Sequence, residues 1–270
     1  MKNAWSQIGR LIGLLLLCAL ALQLYFLLRV AMMLVMDPQS TSFQRSEIWR
    51  LAVEQHEVLW SQQWVDDDKL SSSLKRAVIA SEDAGFAEHS GVEWDALEKA
   101  WERNQKAEER AGRINEQLAK REATREAARE ASRKAAAQAK APAPRATPKI
   151  VGGSTITQQL AKNLFLSGER TALRKAQEFV ITFMLEALLD KRRILAIYLN
   201  SVEWGEGIFG AQAAARHYFR VDAAQLGVSQ AARLAVMLPA PKRFEKRPGS
   251  AYVVGRAGTV AARMGAVELP

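Results

Sequence analysis

Glu82 and Asp83 form an acidic pair behind the apolar turn Ala77-Val78-Ile79-Ala80, and they open the stretch Glu82-Asp83-Ala-Gly-Phe86-Ala-Glu-His89-Ser-Gly91. Carboxylates are disfavoured at a helix C-terminus, where the backbone dipole is negative, so something other than helix stability must hold this pair. Two readings stand at this point. The pair serves acid–base chemistry, or Asp83 caps the following turn while Glu82 pairs with an arginine.

Four more stretches carry polar groups in telling arrangements. In Gly152-Gly153-Ser154-Thr155-Ile156-Thr157-Gln158-Gln159-Leu160-Ala161-Lys162-Asn163, helical spacing puts Thr155, Gln158, Gln159, Lys162 and Asn163 on one face. That face is polar throughout, while Ile156, Leu160 and Leu164 line another. Ser154 is placed to cap the helix, and a glycine-led helix N-terminus suits an anion. Amides, a hydroxyl and one lysine fit a sugar or a phosphate better than a merely solvated face. Arg174-Lys175-Ala-Gln-Glu178 sets Arg174 and Glu178 one turn apart, with Glu186 following. This is either a local ion pair or a cationic site for a pyrophosphate, oriented by the glutamate. Tyr198-Leu199-Asn200-Ser-Val-Glu203-Trp204-Gly205-Glu-Gly207-Ile-Phe209-Gly210-Ala-Gln212 reads as a glycine turn before a helix, its aromatics suited equally to sugar stacking and to a core. Leu238-Pro239-Ala240-Pro241-Lys242-Arg243 is an irregular basic turn.

Other chemistries find no support. His56, His89 and His217 are scattered, and Cys18 is the single cysteine, so neither a metal-ligand cluster nor an internal disulfide is expected. No GxSxG, P-loop or GxGxxG is present. Net charge is +9 over 270 residues, but residues 103–149 alone hold 13 Lys/Arg against 6 Glu. The excess belongs to one segment, which argues against nucleic-acid binding by the folded body.

The elements that must position these residues are helical. Helices are predicted over 46–58 (Ile48, Leu51, Ala52 and Val58 inward), 74–81, 92–106, 154–166, 171–199 with a break near Asp190, 207–219 and 229–238. No run of alternating strands is evident. Residues 103–149 read as a solvated or partly disordered insertion, with an Arg/Glu ladder at 121–134 and an Ala-Pro linker after it; a basic flap on anionic lipid is the sharper alternative.

Leu11–Leu28 is an apolar run interrupted by Gln23, and it resumes as Val30–Met36. A cleaved signal peptide and a lipoprotein site at Cys18 fit less well than an uncleaved anchor. Lys2 and Arg10 precede it, favouring a cytoplasmic N-terminus. The expected organisation is an anchor over 1–36 and a mainly α domain over 37–270.

The five stretches, in this order, resemble the family 51 glycosyltransferases, the peptidoglycan polymerase domains of penicillin-binding proteins and of short monofunctional enzymes. The resemblance spans Leu74 to Arg243, interrupted by the insertion, and the Glu-Trp-Gly-x-Gly-Ile-Phe-Gly-Ala form points to the monofunctional type. Ending at Pro270, the chain is expected to carry no transpeptidase domain. The resemblance implies a lysozyme-like, mainly α fold at the bacterial inner membrane, single-pass, with the catalytic domain periplasmic. It implies Glu82 as general base and Glu178 as a second catalytic glutamate. It implies substrate contacts from Asp83, Phe86, His89, Ser154, Thr155, Gln158, Gln159, Lys162, Asn163, Arg174 and Lys175. The implied substrates are lipid II and a growing lipid-linked glycan, joined β-1,4 with inversion. No cofactor is expected, with a divalent cation such as Mg the one alternative left open. Partners would be the cytoplasmic membrane and cell-wall synthesis or division proteins. A lytic glycosidase using Glu82 as an acid and a non-catalytic membrane scaffold are the alternatives.

Overall fold

The computed structural model describes residues 2–131, 144, 145, 147, 153–169 and 171–270. They fall into two units, one built from 1–92 and 155–270 and the other from 93–154. The Ala-Pro linker lies mostly outside the described residues.

In the larger unit the chain starts with helix α1, Lys2–Met32, of which Trp5–Met32 is long and apolar enough to cross a membrane. Most of its leucines face outward, whereas Phe26, Val30 and Met33 are buried at helical spacing. Phe26 meets Phe165 edge-on at 5.4 Å. Gln23, the polar interruption, is answered by Gln177: each side-chain amide donates to the other, at 2.8 and 2.9 Å. Arg193 closes the helix end by donating to the carbonyls of Met33 and Met36 and to the Asp37 carboxylate.

Helix α2, Ser42–Arg50, starts four residues before its predicted position because Thr41 and Gln44 form a capping box. It widens into a π turn over Leu51–Gln55. Of the expected apolar side only Leu51 is buried, and Val58 stands 52% exposed. Helix α3, Ser72–Glu82, buries Leu74, Ala77, Val78 and Ile79. Helix α5, Ile156–Phe165, packs on α6, Ala172–Leu188, and α7, Lys191–Ser201, follows after the break at Asp190, whose carboxylate caps it by accepting from the Arg193 N–H. Residues 194–201 of α7 are all buried, as expected of the central helix of a bundle.

A small sheet was not anticipated. β2, Glu203–Gly205, pairs antiparallel with β3, Ile208–Phe209, which pairs parallel with β1, Ser61–Gln62. Gly207 (φ +71°) makes the turn, and a Cβ there would lie 1.9 Å from the Leu59 carbonyl oxygen. Helix α8, Ala211–Phe219, therefore starts later than predicted. Helix α9, Val228–Met237, packs between α3 and α11, Ala251–Arg263, after the short α10, Pro241–Phe244. α11 is absent from the sequence-based assignment; it buries Val253, Ala257 and Val260 at helical spacing under a Ser250 cap.

The smaller unit holds α4, Trp94–Ala131, which runs 25 residues past the predicted end at 106, so the described part of the insertion is a mostly exposed, solvated helix. It carries nine basic and nine acidic residues, so it is neutral and the excess basicity lies beyond it. Glu102–Lys106, Glu109–Arg113 and Glu116–Lys120 pair at i,i+4 with the acid N-terminal, the favourable order. Gly153 packs on its first turns: a Cβ there would sit 2.9 Å from the Ala100 Cβ.

Candidate active site

Glu82 is the last residue of α3, and Asp83 leaves the helix at φ −163°. The Asp83 carboxylate is held at the start of another helix: Oδ2 accepts from the Ile156 N–H of α5 at 2.9 Å. A helix N-terminus favours a negative charge, which resolves the awkward placement read from the sequence. Oδ1 accepts from His89 Nε2 at 2.8 Å, and His89 Nδ1 accepts from the Gly91 N–H at 3.1 Å, so His89 carries its proton on Nε2. The Thr155 hydroxyl closes the circuit by donating to the Gly91 carbonyl at 2.6 Å. Gly91 (φ +86°) has no room for a Cβ, which would lie 2.8 Å from Thr182 and Glu186 side-chain carbons. The 83–91 loop is thereby stitched to α5, and Glu82 projects from a fixed stem.

Two neutral groups orient Glu82. The buried Tyr198 donates to Gln159 Oε1 at 2.9 Å, which turns the Gln159 amide nitrogen toward Glu82 Oε2 at 3.0 Å. Burial pushes the Glu82 carboxyl above its ordinary value of 4.5; donation from Gln159 and Ser81 opposes this, Asp83 adds to it, and Lys162 opposes it. Burial, with Glu82 and Asp83 nearby, also raises Tyr198 well above 10.0, so it stays a donor.

The expected polar face of α5 divides. Thr155, not Ser154, is the N-cap, and it forms a capping box with Gln158: Thr155 Oγ1 accepts from the Gln158 N–H, and Gln158 Oε1 from the Thr155 N–H. Both side chains are buried and build the helix start. Gln159 reaches Glu82, Lys162 is exposed and Asn163 is half-exposed. Phe86 is fully buried, with Lys191 Nζ 4.6 Å from its ring centroid. Packing is its task in this conformation. Asp83 and His89 likewise act on neighbours.

One helix away, α6 carries the second group. Glu178 is 3% exposed and takes Arg174 on Oε2 at 3.2 Å and Lys175 on Oε1. The glutamate fixes two cations side by side, as the i,i+4 spacing of Arg174 and Glu178 suggested. Glu186 instead accepts from the Thr157 hydroxyl and pairs with Lys191.

The fourth stretch is turned inward. Tyr198, Trp204 and Phe209 are fully buried, and Asn200 bonds the Val65 backbone twice, so the stacking platform considered for sugars is core. The fifth stretch closes a separate clasp in which Lys242 bridges Glu47 and Glu203, the latter at 3.6 Å. Burial pushes Glu203 up to about 7, against the pull of Lys242. Tyr198 and the Glu203 clasp are the groups whose roles sequence reasoning missed. Among the described residues no cluster of three or more His, Cys, Asp or Glu is arranged to hold a metal.

The transglycosylase family model matches residues 53–147 and 136–265. A biosynthetic peptidoglycan transglycosylase of Burkholderia pseudomallei is 49% identical over 252 residues, covering 93% of this chain and 83% of the relative. One from Cupriavidus pinatubonensis is 48% identical over 271 residues, covering 97% and 91%. One from Burkholderia multivorans is 47% identical over 251 residues, covering 93% and 86%. The lysozyme-like, mainly α class implied by the motifs is the class of this family, and the helical bundle around α7 agrees with it. With its motifs intact and its relatives aligned along nearly its whole length, this chain belongs to the biosynthetic peptidoglycan transglycosylases, which are glycosyltransferase enzymes.

Proposed function

We propose that this enzyme polymerises lipid-linked disaccharide-peptide into glycan strands, with Glu82 as general base. The observation that carries this reading is a half-buried carboxylate held by the neutral relay Tyr198–Gln159. Glu82 takes the proton of the acceptor's 4-hydroxyl as that oxygen bonds to the anomeric carbon of the donor. The bond from that carbon to the α-linked pyrophosphate breaks, the pyrophosphate leaves with the electron pair, and a β-1,4 linkage results. A carboxyl raised by burial is closer to the working pH, which favours base catalysis worth about 10²–10⁴-fold. The leaving charge falls to Lys162 and to Arg174 and Lys175, the last two kept in place by Glu178. No step in this scheme is assigned to a metal.

The substrate's lipid tail calls for an enzyme at a membrane. Helix α1 supplies the span, and Lys2 and Arg10 favour a cytoplasmic start with the domain outside the inner membrane. Exposed Leu173, Ala176, Val180, Phe183 and Ala187 recur along α6 at helical spacing, a stripe suited to the bilayer beside α1.

The test is incubation of the full-length protein with labelled lipid-linked precursor, then gel analysis and muramidase digestion. Muramidase-sensitive polymer is expected from the wild type and almost none from Glu82→Gln. Near wild-type polymer from Glu82→Gln would refute the assignment of the base.

A further inference from the structure

A cavity of about 450 Å³ opens where α1 ends and the chain turns toward α2, well away from Glu82 in sequence. Its lining is of two kinds. Met32, Met33 and Met36 give it an apolar wall, with Met32 and Met36 half-exposed at 50% and 55%. Arg29 and Arg45 give it two cations. Cavities of roughly 300–1,000 Å³ hold small ligands with a few fixed polar groups.

The two arginines differ from the others near the domain's base. Arg193 is neutralised by Asp37, which also lines the cavity, so that carboxylate is already engaged at 2.8 Å. Neither Arg29 nor Arg45 meets a carboxylate among the described residues. Arg29 donates to the Tyr25 hydroxyl at 3.0 Å and lies 6.0 Å from the Phe165 ring centroid. Arg45 is braced by the Ser40 and Ser42 hydroxyls, each at 3.0 Å. Both are thus held by neutral partners and keep N–H groups to offer, since a guanidinium has five. Arg29 stands one turn before the end of the apolar span, at headgroup level for a helix that crosses the bilayer.

We propose that this cavity binds the headgroup of one anionic phospholipid, its phosphate between Arg29 and Arg45 beside the Met32, Met33 and Met36 wall, while its acyl chains run back along α1 into the bilayer. Two cations without acidic partners select a net-negative headgroup over a zwitterionic one, whose own cation repels them. The proposal needs α1 to span a membrane but is independent of the chemistry at Glu82, so the polymerisation assay and the lipid assay fail separately.

The experiment titrates full-length protein in uncharged detergent with phosphatidylglycerol, phosphatidylcholine or inorganic phosphate, and follows thermal unfolding. At roughly 1 kcal/mol for each arginine near a lipid surface, the two predict about a thirty-fold preference for phosphatidylglycerol over phosphatidylcholine. The Arg29→Gln/Arg45→Gln protein is expected to lose that preference, and Arg29→Lys/Arg45→Lys to keep most of it. Circular dichroism in lipid-free detergent checks that the double variant is folded. If it is not, Arg45→Gln alone, changed on an exposed side chain, is expected to lose about fivefold. Equal stabilisation by both lipids, an unchanged preference in the glutamine variants, or full stabilisation by inorganic phosphate would each overturn the proposal.

Discussion

Glu82 and Glu178 face opposite surroundings within one unit. Glu178 has a cation on each oxygen, Arg174 on one and Lys175 on the other. Glu82 meets neutral donors, Gln159 and Ser81, and burial is the largest influence on its proton affinity, which rises. The first arrangement fixes charge in place. The second leaves a carboxylate able to take up a proton. Partners, not residue type, divide the labour between the two.

The sharpest way to break this contrast is Glu82→Gln, which keeps the shape and removes the base. Turnover of lipid-linked precursor should fall by about 10²–10⁴-fold with the unfolding temperature little changed. Glu178→Gln should fall by about 10²-fold, because Arg174 and Lys175 lose the group that aligns them. Raised salt or added inorganic pyrophosphate should inhibit that variant less than the wild type, as measured by product on gels. Tyr198→Phe is subtler: it frees the Gln159 amide to rotate, and loss of a hydrogen bond worth about 1 kcal/mol predicts roughly a fivefold slower reaction.

The pH profile sharpens the same contrast. As the proposed base, Glu82 would work ionised, and its pKa is raised above 4.5, so activity should fall on the acid side at a higher pH than for an ordinary glutamate. Gln159 stabilises the ionised form. Weakening it through Tyr198→Phe should move that limb higher still. Glu203 is the control, a carboxyl also raised by burial but outside the proposed chemistry. Its folded pKa of about 7 exceeds the ordinary 4.5, so the folded state holds the extra proton and stability falls as pH rises between those values. Glu203→Gln should flatten that decline in unfolding temperature between pH 5 and 8 while changing turnover at neutral pH by less than about twofold.

Much of the site was legible because its parts are local. The break at Asp190 and the Arg174–Glu178 pair follow from helical spacing alone. On the polar face of α5, Thr155 and Gln158 also cap the helix. Spacing gives an angle around the helix but not whether a side chain turns back to its own backbone. Thr155-x-x-Gln158 was a readable capping box, and it marks Thr155 rather than Ser154 as the cap. The partner of Asp83 is an N–H 73 residues away, which no local pattern reveals. Strands of two or three residues are too short to show alternation, and Gly255 and Gly258 weaken the helical pattern of α11. The Glu203 clasp joins α2, β2 and α10, so it exists only once the bundle has closed.

The paired amides of Gln23 and Gln177 also set how this enzyme can search. A domain on a flexible leash would sweep a volume of solution set by the leash's length. Here the same rigid unit that carries Arg174, Lys175 and Glu178 is fastened to α1 well inside the apolar span, so there is almost no slack. With α1 across a bilayer, encounters become a planar problem: the enzyme meets molecules that diffuse in its own leaflet and ignores those a few nanometres above it. On the polymerase reading proposed above, a growing strand would then be fed outward from a fixed station, its lipid end staying in the membrane.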